Sequence, residues 1–122
     1  MELIRLKNIL VAVIEKNIKI QSTNELLDIM ASLAYEQDGK KVGMIVYKES
    51  FGEKFFNLKT KFAGELLQKF SNYNMSLVIA GDFSEYSSSS LKDFIRECNR
   101  GHSIFFLPDV QTGIEKYAKL YD

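Results

Sequence analysis

Apolar residues in this chain come in short unbroken runs, separated by stretches where they recur every three or four positions. The runs at 9–14 (ILVAVI), 42–47 (VGMIVY), 76–80 (SLVIA) and 103–107 (SIFFL) have strand length. Unbroken runs of this kind predict strands buried on both faces. Residues 18–20 (IKI) predict a fifth, short strand, with Glu15-Lys16-Asn17 before it as a hairpin turn.

The stretches between the runs have helical periodicity. Ser22 and Glu25 match a capping box ahead of Leu26, Leu27, Met30, Leu33, Ala34 and Gln37, and Gly39 reads as the stop. Ala63, Leu66, Leu67 and Phe70 make the apolar stripe of a second helix that opens at Thr60. Ser90 and Asp93 predict the start of a third, whose inner face is Leu91, Phe94, Ile95 and Cys98 and whose end is Gly101. Asp109, after Pro108, reads as the N-cap of a closing helix with Val110, Ile114, Tyr117 and Leu120 turned inward. The predicted order is ββαβαβαβα: an α/β single domain, with a mainly parallel five-stranded sheet and four helices.

Composition narrows the function more than the fold. The 122 residues are 46% hydrophobic, enough for one core without metal or disulfide. Sixteen basic and sixteen acidic residues cancel, which removes the electrostatic reason to expect nucleic acid or an anionic membrane as partner. No run approaches a membrane span, the apolar run at 9–14 is too short for a secretory leader, and a single cysteine forms no internal disulfide. The expectation is a cytoplasmic protein.

Two resemblances follow from particular residues. Phe55-Phe56-Asn57-Leu58, Thr60 and Ala63-Gly64-Glu65-Leu66-Leu67-Gln68-Lys69-Phe70 resemble the signature of domain-of-unknown-function family 4180, a bacterial family of small uncharacterised proteins. The match continues through Gly81-Asp82-Phe83-Ser84, Tyr86, Ser88, Ser90-Leu91, Asp93-Phe94-Ile95, Glu97, Asn99 and Gly101. That family carries no assigned activity. The element order is also similar to the STAS domains of anti-sigma factor antagonists, in which a Ser or Thr opening a helix is phosphorylated to release or recruit a partner. This likeness puts Thr60 at the phosphoacceptor. Lys59 stands where those domains have an acidic residue, and the 48–59 loop is longer than theirs.

Chemistry-bearing residues are few. In open parallel sheets ligands collect outside the carboxyl ends of the strands. That edge carries Lys48, then Asp82, Ser84, Tyr86, Ser88 and Ser90, then Pro108-Asp109. Turn and cap chemistry accounts for the same residues without a ligand. Thr60 likewise serves as a plain helix cap, or as a phosphate acceptor stabilised by free amides. Phe51, Phe55 and Phe56 lie in a long loop, where they cover either the core or a partner.

Cys98 falls on a buried stripe, His102 is the only histidine, and no Ser-His-Asp set, metal-ligand set or phosphate-binding glycine motif can be composed. No cofactor or metal is therefore expected, and no catalytic residue is assigned. The first expectation is a non-catalytic protein-interaction or regulatory module with an unidentified protein partner. The second is a binder or enzyme for a small anionic molecule, using Lys48 and Asp82. The third is a homo-oligomer built on the same phenylalanines.

Overall fold

A computed structural model describes residues 1–36, 39–57, 61–73 and 75–121. Five strands form one mixed sheet in chain order: β1 (Glu2–Arg5), β2 (Ile9–Val13), β3 (Lys41–Tyr47), β4 (Met75–Ala80) and β5 (Ile104–Leu107). β1 and β2 pair antiparallel, and the other three neighbouring pairs are parallel. The crossovers carry α1 (Thr23–Ala34), the single turn α2 (Glu53–Phe56) with α3 (Phe62–Asn72), and α4 (Ser89–Arg100). α5 (Val110–Tyr121) follows β5. No helix among the described residues is long and apolar enough to cross a membrane.

Strand alternation sorts the apolar residues into two layers. Ala12, Val42, Met44, Val46, Leu77, Ile79, Ile104 and Phe106 face one side. There they meet Leu26, Met30 and Leu33 of α1, Leu66 and Phe70 of α3, and Leu91 and Cys98 of α4. Val11, Ile45, Val78 and Phe105 face the other side, where α5 supplies most of the cover through Tyr117, with Val110 and Ile114 packed beside it.

α5 comes close because two glycines permit it. A Cβ on Gly113 would lie 3.0 Å from Cγ1 of Val78, and one on Gly43 would lie 2.6 Å from Cζ of Tyr117. The Tyr117 ring therefore rests on the bare backbone of β3, and its hydroxyl donates to the Met44 carbonyl at 3.1 Å. Burial pushes that hydroxyl well above the usual tyrosine range. Ser76, the register partner of Gly43, is buried on the same face and makes no hydrogen bond of ordinary geometry among the described residues.

Several expectations need correction. The hairpin is β1–β2, turning at 6–8, and not a pairing of 9–14 with 18–20. Residues 18–20 contribute one parallel bridge, Ile20 to Phe51, so the turn at 15–18, closed by Ile18 N donating to Glu15 O at 3.1 Å, joins no hairpin. The antiparallel β1 makes the sheet mixed. α1 ends at Ala34, ahead of Gly39, and Gln37 lies outside the described residues. The cap of α4 is Ser88, whose Oγ accepts from Leu91 N at 3.2 Å; Ser90 is inside the helix and Asp93 pairs with Arg96. Four consecutive serines can each cap, and the register that buries Leu91 selects Ser88. Leu120 is exposed, while Tyr121 packs against the core in its place.

Candidate functional site

The carboxyl ends of β3, β4 and β5 bring Tyr47, Ala80 and Leu107 to one edge. After Tyr47 the chain turns through one 3-10 turn (Lys48–Ser50), and Ser50 O accepts from Ile20 N at 2.8 Å. Lys48 leaves this turn and crosses Gly81. A Cβ there would lie 2.6 Å from Cβ of Lys48, so the lysine stem occupies the space that a side chain would need.

The Lys48 ammonium is already engaged. It donates to Asp82 O at 2.7 Å and to Glu85 Oε1, and it lies 4.9 Å from the Tyr86 ring and 5.8 Å from the Phe83 ring. Partial burial works against its charge. The hydrogen bond to Glu85 and the negative groups around it prevail, and its pKa stands above the ordinary lysine value. Lys48 thus ties the end of β3 to the loop after β4. Burial likewise raises the Tyr86 phenol, although the neighbouring ammonium opposes this.

The other polar residues of the edge are also engaged in building their own loops. Asp82 Oδ1 accepts from Ser84 N at 2.9 Å, and Asp109 Oδ1 accepts from Thr112 N at 2.8 Å. Those backbone hydrogen bonds hold both carboxyls below the usual aspartate range, so both are ionised acceptors at neutral pH and neither serves as a proton donor. Ser88 caps α4. Of the sequence-predicted residues, Lys48, Asp82 and Tyr86 do converge. Ser84 turns its backbone N–H and its hydroxyl to Asp82, and Ser90 is an exposed helix residue. Thr60 lies outside the described residues, as do Leu58 and Lys59.

Phe51, Phe55 and Phe56 are 5%, 2% and 7% exposed, so this loop covers the core. Phe51 and Phe55 stand 4.5 Å apart, Phe56 stacks on Tyr86 at 5.1 Å, and Phe55 reaches Phe106 at 6.4 Å. The rings join the loop after β3 to the loop after β4. Cys98 is buried and its thiol is pushed up to about 11, first by burial and then by Glu97, so it is neutral at physiological pH. No group of three His, Cys, Asp or Glu among the described residues is placed to hold a metal.

What remains open at this edge is a cleft of about 500 Å³, lined by Tyr47, Gly81, Asp82, Pro108 and Asp109 with Lys16 and Glu49 at its margin. Its charged lining is three carboxylates against one ammonium. A second concavity, about 490 Å³, lies between α1 and the end of α3, lined mainly by Leu27, Met30, Ala31, Ala34 and Met75. Tyr35 and Tyr73 flank it and are 92% and 56% exposed. Sequence reasoning missed this groove although its signal was present. Leu27, Ala31, Ala34 and Tyr35 repeat at helical spacing, one position out of phase with the core stripe Leu26, Met30, Leu33. It also missed Glu85, because nothing local marks a partner 37 positions from Lys48.

No curated protein and no solved structure matches the chain. The residues carrying the family resemblance have visible duties: Phe55 and Phe56 in the core, Gly81 beneath Lys48, Ser88 as a cap. The family model for the domain of unknown function DUF4180 matches residues 6–117, and the chain belongs to that family.

Proposed function

We propose that this protein is a non-catalytic, cytoplasmic interaction module of regulatory kind, with an arrangement similar to STAS domains. The observation that carries the reading is the uncovered apolar groove between α1 and α3, flanked by two exposed tyrosines. Exposed aromatic rings beside an apolar concavity are the side chains that dominate protein interfaces. The strand-end edge supports the same reading from the other direction. Lys48, Asp82, Ser88 and Asp109 each hold a loop or a helix end. Thr60, one residue before Lys61 with its left-handed φ of 64°, remains the proposed phosphoacceptor of such a module.

The test is a photo-crosslinking amino acid placed at position 35 or 73 in cells, with position 119 on the far face as control. A discrete protein adduct from 35 and 73, and none from 119, is the expected result. Adducts from the control alone would sink the reading.

The strand-end cleft favours a second reading, a small-molecule site. With Lys48 held by Glu85, its lining favours a cationic ligand over the anionic one anticipated. A thermal-shift screen with both charge classes tests this, since binding to the native state raises Tm.

A further inference from the structure

The α1–α3 groove has a chemical polarity that points to the kind of partner. At one end it is apolar, floored by Leu27, Ala31, Ala34 and Met75 between Tyr35 and Tyr73. Leu27 also lines its continuation, about 510 Å³, where Thr23, Asn24, Glu65, Gln68 and Lys69 form a polar stretch between the same two helices. Both helices return from parallel strands, so the trough runs along them. Its length is set by the 12 residues of α1, about 18 Å, or three turns of an added helix.

Charge selects among helices. α1 bears Glu25 and Asp28 and no basic residue at all. Across the trough α3 presents Glu65 and Lys69. Glu25 is engaged at the helix start, where it accepts from Gln21 N at 2.7 Å, and it lines neither concavity. Asp28 and Glu65 make no ion pair among the described residues. Two carboxylates, Asp28 and Glu65, thus stand against one ammonium, Lys69, along the trough.

We infer that the α1–α3 groove receives a basic amphipathic helix of a partner protein. Its apolar side chains lie on Leu27, Ala31 and Ala34 between the tyrosines, and its lysines or arginines meet Asp28 and Glu65. This is helix-in-groove recognition, in which an apolar stripe supplies affinity and rim charges supply register and choice of partner. A second copy of the chain fits less well, because a twofold contact would set this net acidic rim against itself. The inference rests on the interaction reading above and adds the class of partner.

The probe is a leucine–lysine amphipathic peptide of about 14 residues, roughly 21 Å as a helix, with a leucine–glutamate peptide of the same pattern as its counterpart. In amide NMR titrations the lysine peptide should move Leu27, Ala31, Gln68 and Tyr73, and the glutamate peptide should not. Asp28→Lys with Glu65→Lys should weaken the lysine peptide about five- to thirtyfold while leaving the rest of the spectrum in place. Equal binding of the glutamate peptide, shifts confined to another face, or indifference to the charge reversal would each overturn the inference. Concentration-dependent dimerisation that moves the same amides would also overturn it, by making the second copy the occupant. If position 35 or 73 crosslinks a protein but the lysine peptide does not bind, the basic helix falls and the interaction module stands. If neither occurs, both fall.

Discussion

Asn99, in the last turn of α4, lays its side-chain amide along the backbone of Phe106 in β5. Its Nδ2 donates to Phe106 O at 3.2 Å and its Oδ1 accepts from Phe106 N at 2.7 Å. Ser103 O and Leu107 O are turned to β4, accepting from Leu77 N and Gly81 N. By the alternation of backbone groups along a strand, Phe106 faces the open edge. The asparagine supplies both hydrogen bonds that a sixth strand would offer there, and so closes part of an edge that invites pairing.

Asn99→Ala is therefore expected to cost about 1–3 kcal/mol, the penalty for unpairing two backbone groups. Urea denaturation measures the loss, and light scattering should show more self-association than in the parent. Asn99→Asp keeps the acceptor and loses the donor, and should fall between the two. A variant as stable as the parent would mean that water replaces the amide without penalty.

Lys48→Met tests the tie between the two strand-end loops. The stem above Gly81 is retained while the ammonium is lost, so the expected cost is about 1 kcal/mol, mostly through Asp82 O and the aromatic faces. The ion pair itself contributes little, because Glu85 is two-thirds exposed. Glu85→Gln should accordingly cost less than Lys48→Met, and limited proteolysis should cut residues 82–87 faster in the lysine variant. The opposite ranking would place the tie in the ion pair.

Stability should fall on the acid side for a stated reason. Asp82 and Asp109 have pKa values held below 3.8 in the folded protein by Ser84 N–H and Thr112 N–H. A depressed carboxyl contributes stability that is present above its unfolded value and lost as pH falls through the folded value. Urea midpoints should therefore hold above pH 3.8 and decline below it. Asp109→Asn keeps a capping oxygen but not the charge, and should flatten that decline by slightly lowering the midpoint at pH 7. Lys48 acts on the alkaline side with the opposite sign: its raised value yields stability present below 10.5 and lost above it.

Ser76→Ala should leave the urea midpoint unchanged or raise stability by up to about 1 kcal/mol, since a buried hydroxyl without a partner carries only its desolvation cost. A loss of about 1 kcal/mol instead would show that the hydroxyl bonds Tyr117 or Tyr121 in solution, whose phenols lie near enough to feel it.

The buried strands were legible because ILVAVI, VGMIVY, SLVIA and IFFL are apolar on both faces and leave no helical alternative of that length. β1 was not, since Glu2-Leu3-Ile4-Arg5 is short, and only its pairing with β2 makes it a strand. Ile18 and Ile20 imitate the alternation of a strand, but Ile18 is exposed and Ile20 serves one bridge. Glu53–Phe56 is helical because Phe55 and Phe56 reach the aromatic core, a tertiary cause with no local mark. Asp82 and Asp109 were readable as turn and cap residues from their neighbours in sequence. The engagement of Lys48 was not, because it depends on how β3 and β4 lie side by side.

One face of the sheet is finished by the four helices that arrive between the strands, and the other mainly by α5, after β5. During synthesis the first layer can be assembled as the chain emerges. Val11, Ile45, Val78 and Phe105 meanwhile stay uncovered until the twelve residues of α5 have emerged. A nascent chain halted before Val110 is thus half-roofed, with a broad oily surface for chaperones to hold and proteases to inspect. Docking of Tyr117 over Gly43 is then the step that roofs the second face.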